Sequence, residues 1–97
     1  MNTDFEIKAE RLIIRSDLVL SRVAELQKRI GQLDLSAVSQ LDLSAVKALD
    51  SAGIALLLTL QQELKGSLSI ISPPAHLVTL LGLYNLESQF KLDEQPE

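Results

Sequence analysis

The chain has no cysteine, a single histidine and only three aromatic residues, Phe5, Tyr84 and Phe90. The lack of cysteine excludes disulfide bonds and thiolate metal sites. His76 alone cannot form a metal site built from several histidines. We therefore predict no metal centre and no cofactor, and a core built almost wholly from Leu, Ile, Val and Ala.

Positive charge is also scarce, because nine Lys and Arg residues stand against 13 Asp and Glu residues. The resulting net charge of -4 argues against binding to nucleic acid or to an anionic membrane surface. The sequence contains no uncharged apolar run of the length that spans a bilayer and no signal-peptide pattern. We expect a soluble cytoplasmic domain that does not insert directly into a membrane.

The length of 97 residues fits one domain with one core. We assign residues 1–92 to this domain. The segment 93–97 is acidic and contains proline, so we predict a disordered tail there.

The N-terminal third has the pattern of two strands and a helix. Apolar and polar residues alternate over 5–9, which predicts a half-buried edge strand, and 11–15 predicts a second strand in a hairpin with the first. A helix follows, with Ser16 or Asp17 as its N-cap and Gly31 at its end. Its apolar stripe has helical spacing: Val19, Val23, Leu26, Ile30 and Leu33.

The hexapeptide Leu-Asp-Leu-Ser-Ala-Val occurs twice, at 33–38 and at 41–46. A spacing of eight residues is too short for a solenoid repeat. Only the second copy is followed at short range by a helix start signal. We therefore assign the central strand to about 39–44 and the first copy to the end of the first helix and the loop.

The second half alternates between helices and strands. A strongly apolar helix is predicted from Ser51 to a C-terminus at Lys65 and Gly66, followed by a strand over 67–72. Pro73 and Pro74 stop that strand, and Pro at the first helical position would open a third helix. Its apolar face and end are formed by Leu77, Leu80, Leu81 and Tyr84, with Asn85 as a cap, and Phe90 and Leu92 could add a final short strand.

The element order is thus β-β-α-β-α-β-α, with a possible terminal strand. Helices between strands act as crossover connections, so the central strands should be parallel. The predicted fold class is a single α/β domain with a mixed, mostly parallel sheet of four to five strands and the hairpin at one edge.

The turn Asp50-Ser51-Ala52-Gly53 is the most informative feature, because it opens the most apolar helix. A hydroxyl at a helix start can cap the backbone N–H groups, and it could also carry a phosphate. Ser51 is therefore either the N-cap alone or a cap that also contacts a partner. In another possibility, Asp50 is the cap and Ser51 is the first helical residue. Gly53 is expected to permit close packing against the sheet.

The segment 41–46 with the D-S-x-G turn at 50–53 resembles the STAS domain family, which includes anti-sigma factor antagonists and domains of sulfate transporters. The segment Leu83-Tyr84-Asn85-Leu86 looks most like the small STAS subunit of the Mla phospholipid-transport ABC system. The resemblance extends over residues 39–92, and over the N-terminal third only in element order.

The resemblance implies a non-catalytic accessory subunit that binds the cytoplasmic ATPase of an ABC phospholipid transporter involved in outer-membrane lipid asymmetry. Its location would be cytoplasmic, at the inner face of the membrane through that partner. Ser51 would lie in the interface. The other partner-binding residues expected around it are Lys47, Asp50, Ala52, Gly53, Ile54, Leu56 and Tyr84.

The alternative implied by the resemblance is an anti-sigma factor antagonist in which a partner kinase phosphorylates Ser51. Ala52 stands where that pattern commonly has a second hydroxyl, and Arg15-Ser16-Asp17-Leu18 replaces a usual Gly-x-Leu-Asp segment. These departures favour the transporter role.

Two further questions remain open in the sequence. Leu56 and Leu60 are either core residues or the border of a partner surface near Ser51. Asp42 is expected to accept hydrogen bonds from loop N–H groups at its strand end. We predict no catalytic residue, since no nucleophile–base spacing or phosphate loop is present.

Overall fold

The computed structural model describes residues 4–64 and 68–93. Within these residues, five strands and three α-helices follow one another in the predicted order, with a 3-10 turn at Glu87–Gln89 before the last strand. The elements are β1 (Phe5–Lys8), β2 (Arg11–Ile14), α1 (Leu20–Ile30), β3 (Gln40–Asp42), α2 (Ser51–Glu63), β4 (Ser69–Ile71), α3 (Ala75–Leu83) and β5 (Lys91–Asp93). The possible terminal strand is therefore present.

The strands form one sheet in the order β1-β2-β3-β4-β5. β1 pairs with β2 in an antiparallel hairpin, and all the other pairs are parallel. This confirms the predicted mixed, mostly parallel sheet with the hairpin at one edge. Strand alternation places one row of apolar residues on the core face: Ile7, Leu12, Leu41, Ile70 and Leu92.

The three helices lie side by side on this core face, because α1 contacts α2 and α2 contacts α3. Each βαβ unit then moves one strand further along the sheet. The opposite face of the sheet carries a mainly polar row across the strands: Lys8, Arg11, Gln40, Ser69 and Lys91.

The core is aliphatic, as the composition predicts. Leu26 and Ile30 of α1, Leu57 of α2 and Leu77 and Leu81 of α3 are completely or almost completely buried over the sheet. Burying one such side chain stabilises the fold by about 1.5–3 kcal/mol. The lateral packing of three helices over one sheet face explains why α2 is apolar over so much of its circumference.

The start of α1 differs from the prediction. The N-cap position belongs to Val19, which makes no side-chain cap, rather than to Ser16 or Asp17. Ser16 is buried and its hydroxyl accepts a hydrogen bond from Arg22 Nε. Asp17 accepts one from the backbone N–H of Ala48 instead. Ser16 therefore binds a side chain of α1 itself, and Asp17 binds a loop 31 residues later in the chain.

The other helix boundaries follow the sequence closely. Gly31 is the C-cap of α1. Pro74 precedes α3 as its N-cap residue rather than occupying the first helical position. Asn85 follows α3 with a φ of 58°, the left-handed conformation that Asn tolerates after a helix end. Asp93, placed in the tail by the sequence, ends β5.

Some predicted boundaries lie outside the described residues. These are the C-terminal signal at Lys65 and Gly66, the strand start at Ser67, and the tail residues 94–97.

The two copies of the repeated hexapeptide form the same turn. In each copy the aspartate accepts a hydrogen bond from the serine N–H two residues later: Ser36 to Asp34, and Ser44 to Asp42. In each, the valine N–H also bonds the carbonyl of the second leucine. Only the second copy begins inside β3. The first copy lies in the loop, as expected, but α1 ends at Ile30, so the prediction that this copy also closes the helix is wrong.

Candidate functional site

The hydrogen bonds at the start of α2 show which residue is its N-cap. One carboxylate oxygen of Asp50 accepts hydrogen bonds from the N–H groups of Ala52 at 2.9 Å and of Gly53 at 3.3 Å. Ser51 is then the first helical residue, and it is exposed. Because Asp50 performs the capping, the alternative in which Ser51 is only an N-cap is wrong.

The second carboxylate oxygen of Asp50 reaches a different helix. It accepts a hydrogen bond from the backbone N–H of Leu20, the first residue of α1, at 3.1 Å. This hydrogen bond is the main cause that lowers the pKa of Asp50 below 3.8, and the Gly53 and Ala52 N–H groups act in the same direction. One ionised side chain thus caps the starts of two helices.

The loops before these two helices are also paired. Leu18 N–H donates to the carbonyl of Ala48 at 2.9 Å, and Asp50 N–H donates to the carbonyl of Leu18 at 3.1 Å. This is a parallel bridge between Leu18 and Leu49. The exposed residues Ser51 and Leu20 therefore belong to one surface at the carboxyl edge of the parallel strands.

Gly53 has the packing role that the sequence predicted, although its neighbour is a loop rather than the sheet. A Cβ at this position would lie 2.2 Å from the carbonyl oxygen of Leu18 and 2.8 Å from its Cβ. Both distances are far below van der Waals contact. The glycine therefore lets α2 approach the loop that leads into α1.

Not all of the predicted contact residues are accessible. Lys47 and Ser51 are exposed and Ala52 is partly exposed, whereas Gly53 is buried. Ile54 and Leu56 are only 3% and 1% exposed. These two side chains are packed in the core below the exposed start of α2, so they are not accessible to a partner of the folded domain. Leu56 and Leu60 are both core residues, which decides that alternative.

Tyr84 lies away from Ser51. α3 starts at the carboxyl edge of β4 and ends towards the amino edge of β5, so its last residues are at the opposite edge from the start of α2. The loop after Tyr84 contacts the far half of α2, where Gln61 Nε2 donates to the carbonyl of Gln89 at 2.6 Å. Gln61 is about 15 Å along the helix axis from Ser51. The expected position of Tyr84 beside Ser51 is therefore wrong.

Asp42 has the structural role expected of it. Its carboxylate accepts from Ser44 N–H at 2.9 Å and pairs with Arg11 at 3.4 Å on the polar face of the sheet. In the parts of the chain that the structure describes, no three His, Asp or Glu side chains are grouped so that they could hold a metal ion. None of the described helices has both the length and the apolar character required to cross a membrane.

Two residues of interest were missed from the sequence. Leu20 is 76% exposed and lies beside the Asp50 cap, and it could have been found because it is apolar yet lies off the buried stripe of α1. Gln61 is buried within an apolar helix, and its Oε1 accepts from Leu68 N–H at 3.1 Å. A polar residue on a buried face was the available signal.

Comparison with known proteins gives a family and a fold. The chain matches the family model described as "Mlab, STAS domain" over residues 1–93. The crystal structure of a candidate anti-sigma factor antagonist from Thermotoga maritima superposes on this chain with a TM-score of 0.73. It is 18% identical and the match covers 91% of this chain and 82% of that chain, so it shows the fold. No curated protein matches significantly.

Proposed function

The chain belongs to the STAS domain family, and on this premise we propose that it is a non-catalytic regulatory subunit of an ABC phospholipid transporter. Its partner is the cytoplasmic ATPase of the transporter, which would hold it at the inner face of the membrane. The proposal of this partner is supported by the description of the matching family model, "Mlab, STAS domain", and by the resemblance of residues 83–86.

One observation carries the proposal. Ser51 is exposed at the first position of α2, and its hydroxyl is not needed as a cap because Asp50 serves both helix starts. A polar side chain that has no structural task and stands on a rigid helix start is well suited to a partner contact. Lys47 and Ala52 flank it at the surface.

Co-purification tests this function. The chain is co-expressed with the ATPase of the phospholipid-transport ABC system from the same genome, and wild type is expected to purify with it. Ser51→Glu places a charge in the contact and should reduce recovery at least about tenfold. Ser88→Glu, at an exposed serine near the far end of α2, is the matched control and should be recovered like wild type.

Recovery of no ATPase with wild type would contradict the proposal. Equal losses for Ser51→Glu and Ser88→Glu would show that charge alone, and not the position of Ser51, governs the assembly.

A second candidate is a phosphorylation-switched anti-sigma factor antagonist. The exposure of the Ser51 hydroxyl favours it, since a kinase needs an accessible serine. A phosphate adds about 1.5–2 negative charges at neutral pH and would weaken a packed contact. Intact-mass measurement after incubation with the cognate anti-sigma kinase should show one phosphate on wild type and none on Ser51→Ala. An unmodified wild-type mass would eliminate this candidate.

A further inference from the structure

The outer edge of β1 has no neighbouring strand among the residues that the structure describes, because β1 ends the order of the sheet. The Arg15 N–H donates to the Asp4 carbonyl at 2.6 Å, so these two residues are a hydrogen-bonded pair that continues the register of β1 with β2. Such pairs alternate along an antiparallel ladder with pairs that exchange no hydrogen bonds. Glu6 therefore directs its N–H and C=O towards β2, whereas Ile7 directs its own towards the outer edge.

The side chains of β1 divide between the two faces of the sheet. Glu6 and Lys8 lie on the polar face and have opposite charges two residues apart. Ile7 lies between them on the helix face and is 38% exposed. Charged side chains on an edge strand ordinarily prevent it from pairing with another chain. In β1 the two charges have opposite signs, so they complement each other when two copies of the strand lie antiparallel.

The charges select one register for this pairing. With Ile7 opposite Ile7 of a second copy, the two residues exchange both of their outward hydrogen bonds, and Glu6 of each copy lies opposite Lys8 of the other. A shift in one direction places Glu6 opposite Glu6, and a shift in the other places Lys8 opposite Lys8. Like charges directly opposite each other destabilise a strand pair, so both shifted registers are disfavoured.

We propose that the chain forms a homodimer through β1, in which the two sheets join edge to edge around a twofold axis at Ile7. The same edge of both copies is used, so the assembly closes at two copies and does not extend into a filament. This proposal is independent of the proposed function, because it concerns the edge of the sheet and not the start of α2.

The polar face of the sheet supports this contact. Glu6 accepts a hydrogen bond from Arg15 at 2.6 Å, which lowers the pKa of Glu6 and keeps its carboxylate ionised. Lys8 is exposed. In the dimer, Lys8 of the second copy approaches this carboxylate from the other side, so each Glu6 lies between two cations.

On the helix face, the charges near this edge are already compensated. Arg22 and Arg29 both bind Asp4, which reduces their repulsion of the corresponding arginines in a second copy. The two Ile7 side chains then meet at the twofold axis and lose their exposure to water. Because β1 has four residues, the contact is about 13 Å long, and we expect a reversible dimer with a Kd between about 10 µM and 1 mM.

Sedimentation equilibrium of the full chain tests the dimer. The average mass of wild type should rise from 10.7 kDa towards twice that value as the concentration increases to about 1 mM. Glu6→Lys and Lys8→Glu each place like charges opposite each other, and each should raise Kd at least about tenfold. Glu63→Lys makes the same charge change as Glu6→Lys at an exposed residue of α2, and this control should dimerise like wild type.

An equimolar mixture of the two β1 variants tests the register. In a mixed dimer, the lysine introduced by Glu6→Lys lies opposite the glutamate introduced by Lys8→Glu, and the native Lys8 and Glu6 lie opposite each other. The mixture should therefore associate with a Kd within about threefold of wild type, although neither variant does so alone. A folding defect in either variant would not produce this rescue.

Hydrogen exchange locates the contact on the chain. The Ile7 N–H should exchange at least about twofold more slowly at a concentration where half of the chains are dimeric, because the dimer supplies its acceptor. The Glu6 N–H is bonded within the hairpin in both states and serves as the internal control.

Three results would overturn the dimer through β1. The first is a wild type that stays monomeric at about 1 mM. The second is a mixture of Glu6→Lys and Lys8→Glu that associates no better than either variant alone. The third is a species larger than a dimer, which would show pairing between unlike edges. None of these measurements involves the ATPase, so each outcome leaves the proposed function as it stands.

Discussion

The carboxylate of Asp50 accepts a hydrogen bond from the backbone N–H of Leu20, 30 residues earlier in the chain. The same side chain caps α2 through the N–H groups of Ala52 and Gly53. The aspartate of the D-S-x-G turn therefore links the starts of two helices through hydrogen bonds to both. This leaves Ser51, its neighbour, exposed for other contacts.

We expect Asp50→Ala to destabilise the domain more than an ordinary cap variant. The change removes the acceptor of two N–H groups of α2 and of one of α1, so Tm should fall by about 5–10 °C. Asp34→Ala is the control, because Asp34 hydrogen-bonds to Ser36, two residues later in the same loop, and does not connect two helices. Differential scanning calorimetry of both variants measures the contrast. Equal decreases in Tm for the two variants would contradict the role of Asp50 in linking two helix starts.

The contribution of Asp50 should depend on pH. Its hydrogen bond with Leu20 lowers its pKa in the folded state below 3.8, the value expected when unfolded. The folded state thus favours the ionised form of Asp50. The contribution of this carboxylate to the stability of the fold is complete above pH 3.8 and is lost as the pH falls through the lowered pKa. Urea unfolding at pH 7 and at pH 3 should show wild type more stable than Asp50→Asn at pH 7, with the difference shrinking at pH 3. If the stability difference between wild type and Asp50→Asn were larger at pH 3 than at pH 7, the lowered pKa of Asp50 would be contradicted.

Two helical glycines should respond oppositely to alanine. Gly53→Ala places a Cβ against the Leu18 backbone, so we expect a loss of about 2 kcal/mol or more in the free energy of unfolding. Gly82→Ala meets only the flexible carboxylate of Glu87 at 3.3 Å and should gain up to about 1 kcal/mol from helix propensity. Chemical denaturation compares them. Stability unchanged in Gly53→Ala would show that the helix–loop approach is not tight.

Local periodicity accounts for what the sequence predicted of the fold. Alternation over 5–9 and the helical spacing of Val23, Leu26 and Ile30 depend on neighbouring residues, and the structure has β1 and α1 there. The repeated hexapeptide could be assigned because only its second copy leads into a helix start. The predicted cap of α1 was wrong because Ser16 binds the Arg22 side chain and Asp17 binds the backbone of Ala48, 31 residues away, so neither side chain accepts from the first N–H groups of the helix.

The candidate site was predictable only where one turn contains it. Asp50, Ser51 and Gly53 have the expected places in the turn, and the choice between Asp50 and Ser51 as cap needed the hydrogen bonds. Leu20 joins this site through contacts across 30 residues, which no local pattern reports. Tyr84 was misplaced because its position depends on the direction of α3, which follows from the topology of the sheet rather than from a motif.

Adjacent glutamines in α2 allow a last prediction about the buried polar contact. Gln61 donates to the carbonyl of Gln89 and accepts from the N–H of Leu68. It therefore connects α2 both to the segment after α3 and to the residue that precedes β4. Gln61→Ala leaves both backbone groups without this partner and should cost about 2–4 kcal/mol. Gln62→Ala removes an exposed side chain and should change stability by less than about 0.5 kcal/mol.

Equilibrium unfolding in urea measures both glutamine variants, and hydrogen exchange at Leu68 provides the local readout. In Gln61→Ala the Leu68 amide should exchange faster by more than the change in global stability explains, because its acceptor has been removed. A Gln61→Ala variant as stable as Gln62→Ala, with unchanged protection at Leu68, would show that the side chain contributes packing alone.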